Sequence, residues 1–147
     1  MPTIWNDADR DALAGRVRAL TPANTAKWGR FSVAGMVAHL NDALRMASGD
    51  LRVTAKAPPF LKWAPVRYLI IHVLPMPKGA PTAPELIARS TAADLAHEQQ
   101  AFETLLADLP RRQTLAPTHP AFGRMTRGDW GAIVHKHTDH HLRQFGA

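Results

Sequence analysis

The segment that most constrains this chain is its last helical stretch, Trp130 to Phe145, with the sequence WGAIVHKHTDHHLRQF. At about 100° per residue, Trp130, Ile133, Val134, His137, His141, Gln144 and Phe145 share one side. That side is apolar and must be buried against other elements. His135, Lys136, Asp139 and Arg143 fall on the other side or its flanks, and His140 lies at the border. Four of the eight histidines are therefore in this one helix. Two inward imidazoles at i and i+4 stand one above the other, close enough to share a metal ion. A histidine-rich helix can equally be a solvated polar face, so a third inward ligand from elsewhere in the chain decides between the two.

Composition narrows the chemistry. A chain of 147 residues is long enough for one domain with a real core, and residues 1–147 read as a single domain. There is no cysteine, which excludes disulfides, thiolate ligands and a cysteine nucleophile. The N-terminus lacks the basic-then-apolar layout of a signal peptide, and the most apolar run, Tyr68 to Leu74, is broken by His72. It is far short of the ~20 residues of a spanning helix. These features predict a soluble, cytoplasmic protein without a membrane partner. The formal net charge of +6 would suit an anionic partner, but the bases are scattered without aromatic interleaving, which argues against nucleic acid.

The rest of the chain reads as helices around a disrupted middle. Asn6 to Leu20 predicts a first helix, acidic early and basic late, with Leu13, Val17 and Leu20 as its buried stripe. Ala23 to Phe31 is a connection in which Trp28 is expected as a core anchor, with a pocket-lining role as the alternative. Ser32 as N-cap and Gly49 at C′ bound a second helix over Val33 to Ser48. Its inner face carries Gly35, Met36, His39, Ala43 and Met46. His39 can be a satisfied core histidine or the third ligand; Asp42, one turn on, can orient an imidazole or stand as a solvated acid.

Asp50 to Ser90 holds most of the twelve prolines, so no long helix runs through it. A short helix over Phe60 to Leu74, interrupted by Pro65, followed by loop, makes it a long crossover with a structural His72. Thr91, with Asp94 at N3, predicts the start of a helix that places Leu95, Phe102, Leu105, Leu106 and Leu109 on one face before Pro110. His97 points away from that face. Glu98, at its edge, reads as a surface salt-bridge acid or a group reaching a cavity. Arg111 to Met125 reads as loop, and Thr126 with Asp129 caps the final helix. No period-two alternation is sustained and no hairpin signal stands out, so the expected class is all-α, a four-helix bundle with one long connection.

Here the residues carry a resemblance. The G-M-V-A-H-L-N-D run around His39, paired with the terminal H-x-x-x-H-L-R-Q-F at His137 and His141, resembles the DinB-like superfamily. Trp28-Gly29 and the His119-Pro120-Ala121-Phe122-Gly123 run followed by Thr126 and Trp130 are similar to a bacterial subgroup of it. The resemblance spans roughly residues 25 to 146 and only loosely covers the crossover. It implies a four-helix bundle whose second and third helices are joined by a long connection. It also implies one divalent ion, zinc or nickel, held by His39, His137 and His141. Asp42, Gln144 and Glu98 are read from their own positions, beside or at the edge of the inner faces, as candidates to orient the ligands. Members include transferases of low-molecular-weight thiols such as bacillithiol, mycothiol or glutathione, proteins assigned as hydrolases, and homodimers. The implied partner is a small-molecule substrate; no catalytic residue is singled out. The residues themselves exclude a H-E-x-x-H zincin, since Lys136 and Thr138 follow His135 and His137.

Overall fold

A computed structural model describes residues 1–54 and 56–147; Ala55, inside the predicted crossover, lies outside the described residues. Four long helices, α1 (Asp7–Arg18), α2 (Val33–Ser48), α4 (Leu95–Asp108) and α5 (Arg127–Gln144), form the bundle. A short α3 (Ala64–Tyr68) lies in the crossover between α2 and α4. Around the bundle α1 packs on α4 and α5, and α2 on α4 and α5, which leaves α1 and α2 diagonal to each other. The core runs down the axis through Leu13, Val17, Met36, Leu40, Leu44, Phe102, Leu106, Trp130 and Leu142.

Helix termini follow local chemistry. Ser32 Oγ accepts the Gly35 N–H at 3.0 Å, and Gly49 closes α2 with φ +89°. Thr126 and Asp129 form a reciprocal capping box at α5. α1 is shorter than expected because Asn6 is its cap and Ala19 its last turn; Leu20 is still buried. The start of α4 is also corrected. Asp94, not Thr91, is the N-cap, its Oδ2 accepting the His97 N–H at 2.9 Å, while Ser90–Ala92 forms a separate 3-10 turn. An Asp is as competent a cap as a Thr, so the two were equivalent until the packing of the preceding segment chose.

The crossover departs from the expected single broken helix. A 3-10 turn (Pro59–Lys62) precedes α3, and Pro65 stands in the first turn of α3, where its missing N–H costs nothing. α3 runs on into a π-helical turn, Leu69–Val73. Lys136 on α5 donates to two carbonyls of this region, Ile70 at 2.7 Å and Leu74 at 2.6 Å. His72 Nε2 meets Asp129 Oδ1 at 2.9 Å, so this histidine fastens the crossover to the start of α5. The predicted loop before α5 contains a two-residue antiparallel pairing, β1 (Thr118–His119) with β2 (Gly123–Arg124), too short to leave a period-two signature. Among the described residues no helix is long and apolar enough to cross a membrane.

Candidate metal centre

Helical phase brings three histidines to one point. His39 is in the middle of α2; His137 and His141 are one turn apart on α5, and α2 packs against α5. Their ring centroids are 4.8, 4.8 and 4.7 Å apart, a nearly equilateral triangle. One ring nitrogen from each lies within 4.8 Å of the others, and His39 Nε2 is 2.9 Å from His137 Nε2. Phe31 closes one side, stacked on His39 at 5.1 Å and edge-on to His141 at 5.9 Å. His135, on the same helix, is outside the cluster.

The outward nitrogens fix the tautomers. His39 Nδ1 is 2.9 Å from the Leu86 carbonyl, which can only accept, so Nδ1 carries the proton and Nε2 a lone pair. Gln144 Nε2 donates to the Trp28 carbonyl at 2.7 Å, which orients the amide so that Oε1 accepts from His141 Nδ1 at 2.7 Å. His141 therefore also presents Nε2 as a lone pair. Gly29 makes the Gln144 anchor possible: a Cβ there would lie 2.7 Å from Gln144 Nε2, at a backbone φ of +78°.

All three rings are held neutral. Burial lowers His39, partly opposed by the Leu86 hydrogen bond and the charge of Asp42. Burial, then the neighbouring His141 and His39, pushes His137 well below the usual imidazole range. Burial and His39 bring His141 down to about 3. Neutral imidazoles with converging lone pairs are the donor set a divalent transition ion requires. With His39 Nε2 a lone pair, His137 Nε2 at 2.9 Å either donates its proton to it or shares a cation with it, so the residues present fit such an ion.

The three candidate orienting residues separate. Gln144 touches His141, its Oε1 2.7 Å from Nδ1. Asp42 does not touch a histidine: its Oδ1 accepts from Arg45 Nη1 at 2.8 Å and Arg89 Nη2 at 3.0 Å. Glu98 is buried rather than at the surface; its Oε1 accepts from Arg89 Nη1 at 2.7 Å and its Oε2 from Asn41 Nδ2 at 2.6 Å. Burial pushes Glu98 up, but Arg89 and Asn41 outweigh it and hold the carboxylate below its ordinary range. Both acids serve the centre at one remove. They hold Arg89, and with it the Pro84–Ala92 segment whose Leu86 carbonyl binds His39. Gly35 lets that segment approach, since a Cβ there would meet the Ser90 carbonyl oxygen at 2.6 Å.

A cavity of about 570 Å³ opens beside the histidines, walled by the crossover, the β1–β2 turn and the inner face of α5. Trp28 is one of its walls rather than a core anchor, with Lys78 Nζ 4.4 Å over its ring. His140 and His119 also line it. His119 falls in the segment that reads as loop, and the His-Pro-Ala-Phe-Gly run around it is the one signal the sequence offers there. Its Nδ1 accepts the Ala121 N–H at 3.0 Å, and burial lowers it to about 4, so its proton is on Nε2. The Leu86 carbonyl had no signal at all, because any residue supplies one.

Compared with known proteins, the chain matches no curated protein and no solved structure. It does match one family model, described as the DinB superfamily, over residues 6–145. That span takes in all four bundle helices and the three histidines they bring together. A helical bundle with a His39–His137–His141 cluster, matched over nearly its whole length, belongs to the DinB superfamily.

Proposed function

We propose that His39, His137 and His141 hold one divalent transition ion, zinc or nickel, and that the chain is a metal-dependent enzyme that activates an external thiol or water. The observation that carries this reading is the convergence of three neutral imidazoles on the wall of an open 570 Å³ cavity. A purely structural ion is enclosed by four protein ligands, whereas three ligands beside a cavity leave room for a reactant. When bound, such an ion supplies a Lewis acid that brings the pKa of a coordinated water toward 7 and deprotonates a coordinated thiol. The chain's own part is to fix the imidazole tautomers through Leu86 and Gln144, and to wall the reactant in with apolar side chains. With no cysteine in the chain, any thiol is imported; the cytoplasm keeps low-molecular-weight thiols reduced.

The test has two stages. Metal analysis of protein purified without a histidine tag is expected to find about one zinc or nickel per chain, lost in His137→Ala and His141→Ala. The loaded protein is then screened against conjugatable electrophiles with and without bacillithiol, mycothiol or glutathione. Thiol-dependent turnover marks a transferase, thiol-independent turnover a hydrolase, and no turnover over a broad panel a metal-bound module without catalysis. The same reading has two copies pairing as a homodimer. Exposed Phe60, Trp63, Tyr68 and Val73 on the crossover are the apolar surface that pairing would cover, and light scattering tests it.

A further inference from the structure

The polar lining of the cavity is one-sided. Among the described residues no aspartate or glutamate contributes to its wall, although the chain carries 12 acids. Its polar side chains are basic or neutral, Arg30, Lys56, Thr82 and His140 among them. Lys136 and Gln144 are already engaged, Lys136 with the Ile70 and Leu74 carbonyls and the Gln144 amide with His141 and Trp28. His119 has both its tautomer and its ring plane fixed. The Ala121 N–H occupies Nδ1, which obliges the neutral ring to carry its proton on Nε2. Phe122 at 4.6 Å and Trp130 at 5.6 Å hold the ring in place. Among the described residues none accepts from Nε2, and that atom is not among the buried atoms lacking a partner, so it opens on accessible space. The ring lines the cavity, so the structure has an oriented, unspent N–H donor in a largely apolar chamber.

We propose that His119 is a ligand-contacting residue, its Nε2–H donating to an oxygen acceptor, carbonyl or carboxylate, on an otherwise apolar small molecule held beside the three histidines. This names a substrate class and rests on the reading that the cavity beside the histidines is the reaction site. Met46, Val53, Leu61, Ile70 and Met76 supply the apolar walls. A buried N–H left without an acceptor costs free energy, so a hydrocarbon that desolvates His119 is disfavoured relative to one carrying an oxygen at that point. A cationic ligand has no carboxylate to meet in the chamber. An acceptor-bearing apolar molecule satisfies both constraints.

The test uses a size-matched series on the full chain: cinnamate, benzylideneacetone, propenylbenzene and cinnamylammonium, titrated by calorimetry and ligand-observed NMR. Each is run on chelator-treated and on zinc-loaded protein; without cysteine, the chain has no thiol for the enone to alkylate. Cinnamate and benzylideneacetone are expected to bind the chelator-treated protein about tenfold more tightly than the other two. His119→Phe is expected to erase that preference, weakening cinnamate and benzylideneacetone and relieving propenylbenzene of the unpaired N–H, and His119→Gln, which keeps a donor near the Nε2 position, to restore most of it. A preference untouched by His119→Phe, an absence of binding throughout, or tighter binding of cinnamylammonium overturns the proposal. If cinnamate binds only the zinc-loaded protein and ignores His119→Phe, the assignment to His119 fails while the metal reading stands. His119-dependent binding of benzylideneacetone by protein that takes up no zinc supports the assignment and removes the metal reading instead.

Discussion

At the scale of single residues, the centre depends on what holds the far nitrogen of each imidazole. Gln144 does this for His141 and is itself anchored on Trp28. Gln144→Leu keeps the bulk but removes both hydrogen bonds, and is expected to weaken metal affinity by about 10–100-fold, as losses of such orienting partners do. Competition against a chromophoric chelator measures it, and an affinity within about twofold of the parent would remove Gln144 from the site. The buried rings also predict a pH dependence of the metal-free protein. His141 and His119 are lowered to about 3 and about 4, whereas an unfolded chain titrates them near ~6.5. Between those values the unfolded state takes up protons that the folded state refuses, so stability falls as pH drops from about 6.5 toward 4 and levels off below the folded values. Denaturant midpoints across that window should show the loss, and His119→Phe should make the slope shallower by up to ~1.4 kcal/mol per pH unit.

At the scale of elements, the 84–92 segment is irregular yet supplies the Leu86 carbonyl to His39. Arg89 fastens it by bridging Asp42 on α2 and Glu98 on α4. Arg89→Ala leaves two buried carboxylates without their shared partner. The guanidinium side chain is 42% exposed, so the cost is discounted for solvent to about 2 kcal/mol. The same change should lower metal affinity, since the Leu86 carbonyl loses its anchor. Thermal unfolding and chelator competition on one sample check both, and a destabilised protein with unchanged affinity would confine Arg89 to stability. Gly35→Ala attacks the same contact from the α2 side through the Ser90 carbonyl, and is expected to act in the same direction.

At the scale of the whole molecule, the three histidines come from two helices that meet only in the assembled bundle, so an ion bound among them would stabilise the folded state by mass action. Saturation to about 100 times the dissociation constant is worth ~2.7 kcal/mol. Zinc or nickel should therefore raise the melting temperature, a chelator should reverse the rise, and His137→Ala should abolish it. A melting temperature indifferent to both metals would contradict the proposed site. The crossover is a working part of the molecule at this scale. It closes the cavity over the histidines, and it is tied to α5 by His72–Asp129 and by Lys136.

What was legible in the amino-acid order is what depends on near neighbours along the chain. The limits of α2 followed from Ser32 and Gly49, the start of α5 from Thr126 and Asp129, and the inward phase of His39, His137 and His141 from 3.6-residue periodicity. Helical class and family membership were readable for the same reason, since motif and periodicity are carried by short segments. Tertiary structure alone decided the partners. Asp42 and Glu98 had several bases within reach of their helices, and only the packing of α2, α4 and the Pro84–Ala92 segment assigned both to Arg89. The Leu86 carbonyl is identical to every other backbone carbonyl until a fold sets it 2.9 Å from His39. His119 became a cavity residue because the β1–β2 turn, too short to announce itself, folds over α5. Periodicity tells which way a side chain faces along its own helix; what stands opposite depends on how elements distant in the chain are paired, which no single segment encodes.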